Sequence, residues 1–463
     1  MQNRIPGLLL SVYIFLLAAC QSTGSNKNTA QVPVDSVGII DHPAWSYQSS
    51  IYEVNLRQYS SQGTFKAFEK SLQRLKDMGV GILWFMPINP IGLEGRKSKS
   101  SDLGSYYAVR DYYAVNPEFG TMEDWKTLVK KSQQMGFKVI LDWVPNHSSP
   151  DNPWIKAHPG FYKKDSAGKP AIPFDWSDTR QLDYGNREMR DSMMAAMKFW
   201  ITESNIDGFR CDVAWNVPDD FWKEAISSLR KIKPLFMLAE GEKPGLNLAG
   251  FDATYAWSVM NVAYGINSGK STLRQLDSVI SLNDSIYPKN SFHLYFTTNH
   301  DENSWNATEF ERFGDGYKTF AVWAFTMNKS IPLIYSGQEE PNKRRLKFFV
   351  KDTIQWSKYS LAPFYKTLNT IRLSTPALAA DAGYKKLTTG VDEAVFSYLR
   401  SKDGHKVLVI LNFSKHPQQF NIKDTAINGD TKNVFDSTLE KMTTDRTFRL
   451  QPWEWLVFDY DAK

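Results

Sequence analysis

Acidic side chains follow several separate apolar segments of this 463-residue sequence. Asp212, Glu240 and Asp301 each stand at the end of such a segment, or just beyond it. Paired carboxyl groups without a metal-binding motif suit hydrolysis of a glycosidic bond: one attacks the anomeric carbon, and the other protonates the leaving oxygen. Because buried carboxylates lose solvation and repel one another, a purely structural cluster would be unfavourable. We therefore interpret these three residues as candidate catalytic groups.

Other polar and aromatic side chains occur near the ends of the same or neighbouring segments. Aromatic residues make up 14% of the chain, and the apolar faces of sugars pack well against such rings. Glu242, two positions after Glu240, is a competing candidate for the proton donor. The candidate substrate-binding residues are Tyr107, Asp142, His147, Arg210 and His300.

Eight short apolar runs alternate with amphipathic segments, and together they must position these side chains. Near-continuous apolar runs are typical of strands buried on both faces of a parallel sheet. The alternation predicts an α/β fold, a closed (β/α)8 TIM barrel, whose active site lies at the carboxyl ends of the strands. The runs occupy residues 51–56, 80–88, 137–145, 206–214, 235–240, 251–257, 294–300 and 331–337.

The connection after the third run, residues 145–187, is long enough to indicate a functional excursion. Alternating segments separated by turn residues follow position 378, at 394–401, 405–414, 418–422 and 453–460. They predict a small antiparallel β-sandwich. We expect a catalytic barrel over residues 44–378, including the excursion, and a C-terminal β-sandwich over residues 379–463.

The first residues read as an export signal. Arg4 precedes an apolar stretch that ends in Leu17-Ala18-Ala19-Cys20, which resembles a bacterial lipobox. We expect a signal peptide over residues 1–19, lipidation of Cys20 and a flexible tether over residues 20–43. The protein would then be an exported bacterial lipoprotein, anchored to the membrane in the periplasm or at the cell surface.

The overall charge argues against a polyanionic partner. The net charge is +5, and lysines and arginines are scattered rather than concentrated in one patch. Apolar residues form 42% of the chain and charged residues 23%, values typical of a globular protein. We therefore expect no nucleic-acid partner.

Four segments resemble the signature motifs of the α-amylase family of glycoside hydrolases, family 13. They are LDWVPNH at 141–147, GFRCD at 208–212, MLAEGE at 237–242 and FTTNHD at 296–301. They occur in the family's order and at the ends of predicted barrel strands. The resemblance covers about residues 45–460 and implies an α-glucan substrate.

The resemblance implies a role for each catalytic candidate. Asp212 would be the nucleophile and Glu240 the general acid/base, because Leu-Ala-Glu occupies the family position. Asp301 would bind sugar hydroxyls and help to distort the ring. Arg210 would hold Asp212 ionised, since an adjacent cation favours a carboxylate.

The remaining roles implied by the resemblance concern substrate binding. His147 and His300 would hydrogen-bond the sugar, Tyr107 would stack beneath it, and Asp142 would support the site from behind. The sequence departs from the family at Asn216, where a histidine is frequent, and at Gln181, where many members have an aspartate that helps to bind calcium. Asn146 matches a family calcium ligand, but an amide at 181 is a poorer ligand for this cation. We therefore expect that no cofactor is required and that bound calcium is doubtful, and we assign no metal ligands.

The motifs predict a retaining hydrolase of α-glucosidic bonds, mainly α-1,4, in starch-like glucans and maltooligosaccharides. A transglycosylase, or an enzyme similar to neopullulanase or cyclomaltodextrinase, would share the same catalytic core. A non-catalytic glucan-binding protein on the same fold is the alternative from another class. The presence of all three carboxylates favours an enzyme.

Overall fold

Eight parallel strands close into a barrel in the computed structural model, which describes residues 40–96 and 102–460. The order around the barrel is β1-β2-β3-β6-β7-β8-β9-β10, and β10 pairs back with β1. The predicted (β/α)8 barrel is therefore confirmed. The first ten strands of the chain are β1 (Ile51–Val54), β2 (Ile82–Phe85), β3 (Lys138–Trp143), β4 (His147–Ser148), β5 (Arg180–Gln181), β6 (Gly208–Cys211), β7 (Phe236–Ala239), β8 (Ala253–Tyr255), β9 (Phe292–Tyr295) and β10 (Ser330–Tyr335).

The seventh predicted run, 294–300, extends too far. β9 ends at Tyr295, and the following residues lie beyond the strand at the barrel mouth. Threonines favour strands, but here the side chain of Thr297 donates to Glu309 at 2.7 Å. The side chain of Asn299 accepts a hydrogen bond from the backbone N–H of Glu302 at 2.8 Å and begins a helical turn.

Helices surround the barrel, and side-chain caps fix several of their ends. The predicted capping box is present, because Thr121 and Asp124 each accept a hydrogen bond from the other's backbone N–H at 3.1 Å. The α-helices are α1 (Leu56–Tyr59), α2 (Phe65–Glu69), α3 (Leu72–Asp77), α4 (Met122–Gln134), α5 (Trp154–Ala157), α6 (Arg187–Ser204), α7 (Asp219–Arg230), α8 (Pro244–Leu248), α9 (Trp257–Ile266), α10 (Leu273–Ile286), α11 (Glu309–Phe313), α12 (Tyr317–Thr326) and α13 (Ala362–Ser374). None of the helices in the described residues is long and apolar enough to cross a membrane.

The excursion after β3 carries β4 and β5, which form a small antiparallel pair, and the short helix α5. The pairing places His147 opposite Gln181. The excursion therefore returns to the barrel mouth beside the end of β3, where the family motif LDWVPNH lies.

Antiparallel sheets follow the barrel, as predicted. One has six strands in the order β11-β12-β13-β18-β15-β16, and the other pairs β14 with β17. Apolar side chains from both, including Phe420, Phe448 and Phe458, share one core. The boundary at 378–379 and the N-terminal divisions stay predictions, and Cys20 lies outside the described residues. The strands are β11 (Gly383–Leu387), β12 (Val395–Lys402), β13 (His405–Asn412), β14 (Gln418–Asn421), β15 (Gly429–Asn433), β16 (Leu439–Met442), β17 (Thr447–Leu450) and β18 (Trp455–Tyr460).

Candidate active site

The guanidinium group of Arg210 joins carboxylates from three strand ends. Nη1 lies 3.0 Å from Oδ1 of Asp142 and 3.0 Å from Oδ1 of Asp212. Nη2 lies 3.2 Å from Oε2 of Glu240. The structure thus brings together four of the predicted site residues, which are up to 98 positions apart in the chain, from 142 to 240.

The parallel register of the strands produces this convergence. Asp142 on β3 is directly opposite Arg210 on β6, so their side chains leave the sheet at the same level. The backbone N–H of Glu240 donates to the carbonyl of Cys211 at 2.9 Å, which continues the pairing of β6 with β7 beyond its last strand residue. Gly208 permits this close pairing, because a Cβ there would overlap the carbonyl oxygen of Phe236.

Val213, immediately after Asp212, has a left-handed backbone conformation with φ of 45°. A β-branched residue rarely adopts this conformation, and such strain is concentrated at functional sites. Here it directs the backbone N–H of Val213 to Oε2 of Glu240 at 2.6 Å. The strained turn therefore holds the carboxyl group of Glu240 beside Asp212.

Burial raises the pKa values of two carboxyl groups that contact Arg210, those of Asp212 and Asp142. Burial, followed by the negative charge of Glu240, raises the pKa of Asp212 well above its ordinary value, although Arg210 lowers it. Burial also raises the pKa of Asp142 to about 6, against the opposing effect of Arg210. The expected influence of Arg210 on Asp212 is thus present, but burial and Glu240 outweigh it.

His300 connects the opposite side of the mouth to this cluster. Its Nε2 lies 2.7 Å from the hydroxyl of Tyr107 and 3.3 Å from Oδ2 of Asp301. The same hydroxyl donates to Oδ2 of Asp142 at 3.1 Å. Tyr107 and His300 stack with ring centroids 5.5 Å apart. Three further predicted residues, from two further segments of the chain, therefore join the Arg210 cluster.

His147 lies at the same mouth but is held differently. Its Nδ1 is 3.1 Å from the amide nitrogen of Asn146, and its ring packs edge-on against Trp176 at 5.3 Å. Burial lowers the pKa of His147 to about 4, so the ring is neutral near pH 7. A neutral imidazole can offer one donor and one acceptor to a sugar hydroxyl.

A cleft of about 460 Å³ opens above these groups, and Tyr107, His147, Asp212, Glu240 and Asp301 all line it. The side chain of Asp301 is 43% exposed, compared with 9% for Asp212 and 13% for Glu240. Asp301 therefore extends into the cleft, whereas the other two form its floor.

Sequence reasoning missed the aromatic walls of the cleft. Trp305 and Phe348 line one side, with ring centroids 5.1 Å apart, and Phe348 stacks on Tyr107 at 6.4 Å. Trp176 from the excursion lines the other side, 4.7 Å from Phe174. These residues belong to loops with no strand-end signal. Their only sequence signal was the high aromatic content.

Glu242 does not enter the cleft. Its carboxyl group accepts hydrogen bonds from the hydroxyl and backbone N–H of Ser258 at 2.6 and 2.8 Å. These contacts cap the start of α9. The geometry thus favours Glu240 over Glu242 as the group that can reach a substrate.

The residues at the family's calcium position do not fit a calcium ion. Oδ1 of Asn146 accepts a hydrogen bond from the amide of Asn216 at 2.8 Å. The adjoining cavity is lined by Gln181, Asp183 and Asp220 and by two cations, Lys163 and Arg190. Arg190 pairs with Asp220 at 2.9 Å, and Lys163 adds positive charge where calcium needs several oxygen ligands. No cluster of three or more acidic, histidine or cysteine side chains suited to a metal occurs within residues 40–96 and 102–460.

The chain is similar to known proteins in sequence and fold. The family model described as "Alpha amylase, catalytic domain" matches residues 24–170, and "Alpha-amylase SusG C-terminal domain" matches residues 395–457. The structure of a maltogenic α-amylase, AmyB from Thermotoga neapolitana, is 30% identical, with a TM-score of 0.82 over 90% of this chain and 99% of that chain.

Curated relatives are more distant. α-Amylase MalA from Haloarcula japonica is 25% identical over 401 residues, which cover 81% of this chain and 57% of that enzyme. A maltose-1-phosphate maltosyltransferase from Corynebacterium pseudotuberculosis is 25% identical over 84% of this chain and 62% of its own length. The chain thus spans less than two thirds of both relatives. Since the Thermotoga structure is matched over almost its whole length, this chain belongs to the α-amylase family, glycoside hydrolase family 13.

Proposed function

We propose that the protein hydrolyses α-glucosidic bonds, mainly α-1,4, in starch-like glucans and maltooligosaccharides, with retention of the anomeric configuration. The observation that carries the proposal is the contact of Asp212 and Glu240 with the same guanidinium group. Retaining enzymes need their two carboxyl groups roughly 5–5.5 Å apart, whereas inverting enzymes leave roughly 6.5–9.5 Å to admit a water molecule. Two groups bound to one Arg210 favour the shorter separation.

In the proposed first step, Glu240 donates its proton to the glycosidic oxygen while Asp212 attacks the anomeric carbon. The bond to the leaving sugar breaks, and a covalent glucosyl-enzyme forms. Glu240 then removes a proton from water, which attacks the same carbon and releases Asp212. The mechanism requires a proton on Glu240 and an ionised Asp212 when attack begins. Binding of a sugar that approaches Asp212 and accepts from Glu240 would favour that distribution.

The other site residues would bind and shape the sugar. Asp301 and His300 would hydrogen-bond its hydroxyl groups, and Tyr107 would pack beneath the ring. Asp142, which also accepts from the indole N–H of Trp84 at 3.2 Å, would fix Tyr107 and Arg210. The partner of the site in this proposal is an α-glucan, and no cofactor takes part.

Transglycosylation is the second candidate, and aromatic side chains beside the cleft residue Trp176 favour it. Phe174 is 53% exposed, has a strained φ of 54°, and lies 5.7 Å from Trp215, which packs beside Gly241. Exposed aromatic rings near Glu240 could hold a sugar acceptor in place of water. The maltosyltransferase relatives are consistent with this alternative.

We also propose that lipidated Cys20 anchors the protein to the bacterial membrane after export. The proposal rests on the Leu-Ala-Ala-Cys boundary and the polar segment that follows it. The protein would then act in the periplasm or at the cell surface.

Replacing each glutamate in turn tests the acid assignment. Glu240→Gln should lower turnover of starch by about 10²- to 10⁴-fold, the usual contribution of general acid catalysis. Turnover of α-glucosyl fluoride should fall much less, because fluoride leaves with little proton assistance. Glu242→Gln is the matched control and should leave both rates close to wild type. The reverse pattern would assign the acid role to Glu242.

A product time course on starch, pullulan and cyclodextrin separates the candidate reactions. Hydrolysis raises the number of reducing ends, whereas transglycosylation yields longer oligosaccharides at a constant number of ends. An inverted first product would contradict the retaining mechanism. Glucan binding without turnover would indicate the non-catalytic alternative.

A further inference from the structure

Glu53 on β1 is a buried carboxylate that the proposed mechanism does not use. The residue is fully buried, and its Oε1 lies 2.5 Å from Nδ1 of His300. Its other oxygen, Oε2, has no hydrogen-bond partner among the described residues. The barrel therefore keeps an acidic group behind a substrate-facing histidine, at a cost in solvation that packing alone does not require.

His300 lies between two acidic side chains. Glu53 contacts Nδ1, and Asp301 contacts Nε2 at 3.3 Å from the cleft side. The hydroxyl of Tyr107 donates to Asp142 and therefore accepts from a proton on Nε2 at 2.7 Å. An imidazole with a proton on both nitrogens can donate to Glu53 and to Tyr107 while its positive charge faces both carboxylates, whereas either neutral tautomer loses one of these donors.

The other groups around His300 are the hydroxyl of Tyr107, Asp142 on β3 and Arg210 on β6. Burial and Arg210 oppose a positive charge on the ring. Even so, the negative charges of Asp301 and Glu53 raise the pKa of His300 to about 9.

We propose that Glu53 is a positioning residue that keeps His300 doubly protonated at neutral pH, and thereby holds a positive charge beside Asp301 that orients its carboxyl group towards the sugar. With all three groups ionised, Glu53, His300 and Asp301 carry one net negative charge, and its exposed end is Asp301. Glycosidases pass through a transition state that resembles an oxocarbenium ion, which such a charge stabilises. The catalytic part of this inference rests on the proposed function, but the protonation state of His300 does not.

Nuclear magnetic resonance of labelled imidazole rings tests the protonation state directly in the full chain. The chain has seven histidines, and loss of one signal in His300→Asn assigns His300. In the wild type, His300 should remain doubly protonated well above neutral pH. Titration at or below the ordinary histidine value of about 6.5 would overturn the proposal without any variant of Glu53.

Glu53→Gln removes the charge with little change in shape. The midpoint of His300 should fall by about one to three pH units, the usual effect of losing a buried opposite charge. The kcat/KM value at alkaline pH should fall relative to the wild type, whereas its value at acidic pH, where His300 is protonated in both, should change less. Glu53→Asp, which keeps the charge, should restore part of the shift, and it also serves if Glu53→Gln does not fold.

Glu339→Gln is the matched control. Glu339 is equally buried and accepts from the hydroxyl of Tyr52 at 2.6 Å and from Arg74 at 2.8 Å, away from the cleft. Its replacement should lower thermal stability without moving the midpoint of His300. An unchanged midpoint in folded Glu53→Gln, or an equal shift in both variants, would overturn the proposal. A wild-type protein that titrates as expected but cleaves no glucan would instead contradict the proposed function.

Discussion

Two fully buried guanidinium groups, Arg210 at the barrel mouth and Arg400 on β12, have different kinds of partner. Arg210 contacts the carboxylates of Asp142, Asp212 and Glu240. Arg400 donates to backbone carbonyls, among them those of Thr326 at 2.7 Å and Ala379 at 2.8 Å. Burial opposes the charge of both. However, nearby carboxylates raise the pKa of Arg210 above its ordinary value, whereas burial lowers the pKa of Arg400 to about 10.

The kind of partner distinguishes an arginine at the candidate active site from arginines that hold parts of the fold together. At the mouth, one cation compensates three carboxylates that would otherwise repel one another, and in the proposed function this arrangement serves a reaction rather than stability. Arg400 instead connects the end of α12, the segment after α13 and β12, because these elements have carbonyl groups that need donors. Arg372 on α13 repeats this pattern with the carbonyls of Phe325 and Leu378. Only at a site of the Arg210 kind, where the arginine contacts carboxylates, should activity depend on the charges of the partners.

Asp212→Asn should have the largest effect. The amide keeps the size of the side chain but cannot attack the anomeric carbon, so turnover should fall by at least about 10³-fold. Because one buried negative charge disappears, the melting temperature should stay the same or rise. Turnover and calorimetry on the same preparation check both expectations. A large loss of melting temperature would mean that Asp212 stabilises the fold, as the partners of Arg400 do.

Much of this contrast could be predicted from the sequence. The barrel runs are almost continuously apolar because their strands are buried on both faces, and the polar residues that end them mark the mouth. Four C-terminal strands, β11, β15, β16 and β17, were missed. Segments such as GYKKL and GDTKN contain few apolar residues, since much of each strand is exposed.

Other important residues could not be recognised from the sequence, because their roles depend on contacts with distant segments. Glu53 lies inside an apolar run and resembles an isolated polar residue until its contact with His300, 247 positions away, is known. The strained backbone of Val213 depends on the packing of two strand ends, which no local pattern encodes. Arg400 looks like an ordinary exposed strand residue, because its carbonyl partners come from distant segments.

Arg210→Met and Arg400→Met should differ in how their unfolding free energy depends on pH. Both variants should lose about 3–5 kcal/mol of unfolding free energy near neutral pH, because each leaves buried polar groups without a partner. In Arg210→Met the carboxyl pKa values rise further above those of the unfolded chain. The unfolding free energy of Arg210→Met should therefore be retained at low pH, where the carboxyl groups are protonated in both states. It should fall as pH rises above about 4, the carboxyl pKa in the unfolded chain, and continue to fall beyond about 6, the pKa of Asp142 in the folded wild type.

Arg400→Met should show no such trend, since carbonyl groups do not titrate. Denaturant unfolding at about pH 5 and about pH 8 gives the two free energies needed for each variant. Equal pH dependence in both would show that the distinction between carboxylate and carbonyl partners is wrong. A smaller loss for Arg400→Met at both values would mean that water replaces the guanidinium.

Removal of calcium by a chelator should have the smallest effect. It tests whether the site near Asn146 and Gln181 binds calcium. We propose that no calcium is required, because the amide of Asn216 donates to the oxygen of Asn146, Asp220 pairs with Arg190, and Lys163 supplies positive charge nearby. Excess chelator should leave both turnover and melting temperature close to their untreated values. Asn216→Asp, with Gln181→Asp, adds two hard oxygen ligands and provides a positive control, in which calcium should raise the melting temperature. A large calcium-reversible loss of stability in the untreated wild type would contradict the proposal and would assign a metal to the junction of the excursion with the barrel.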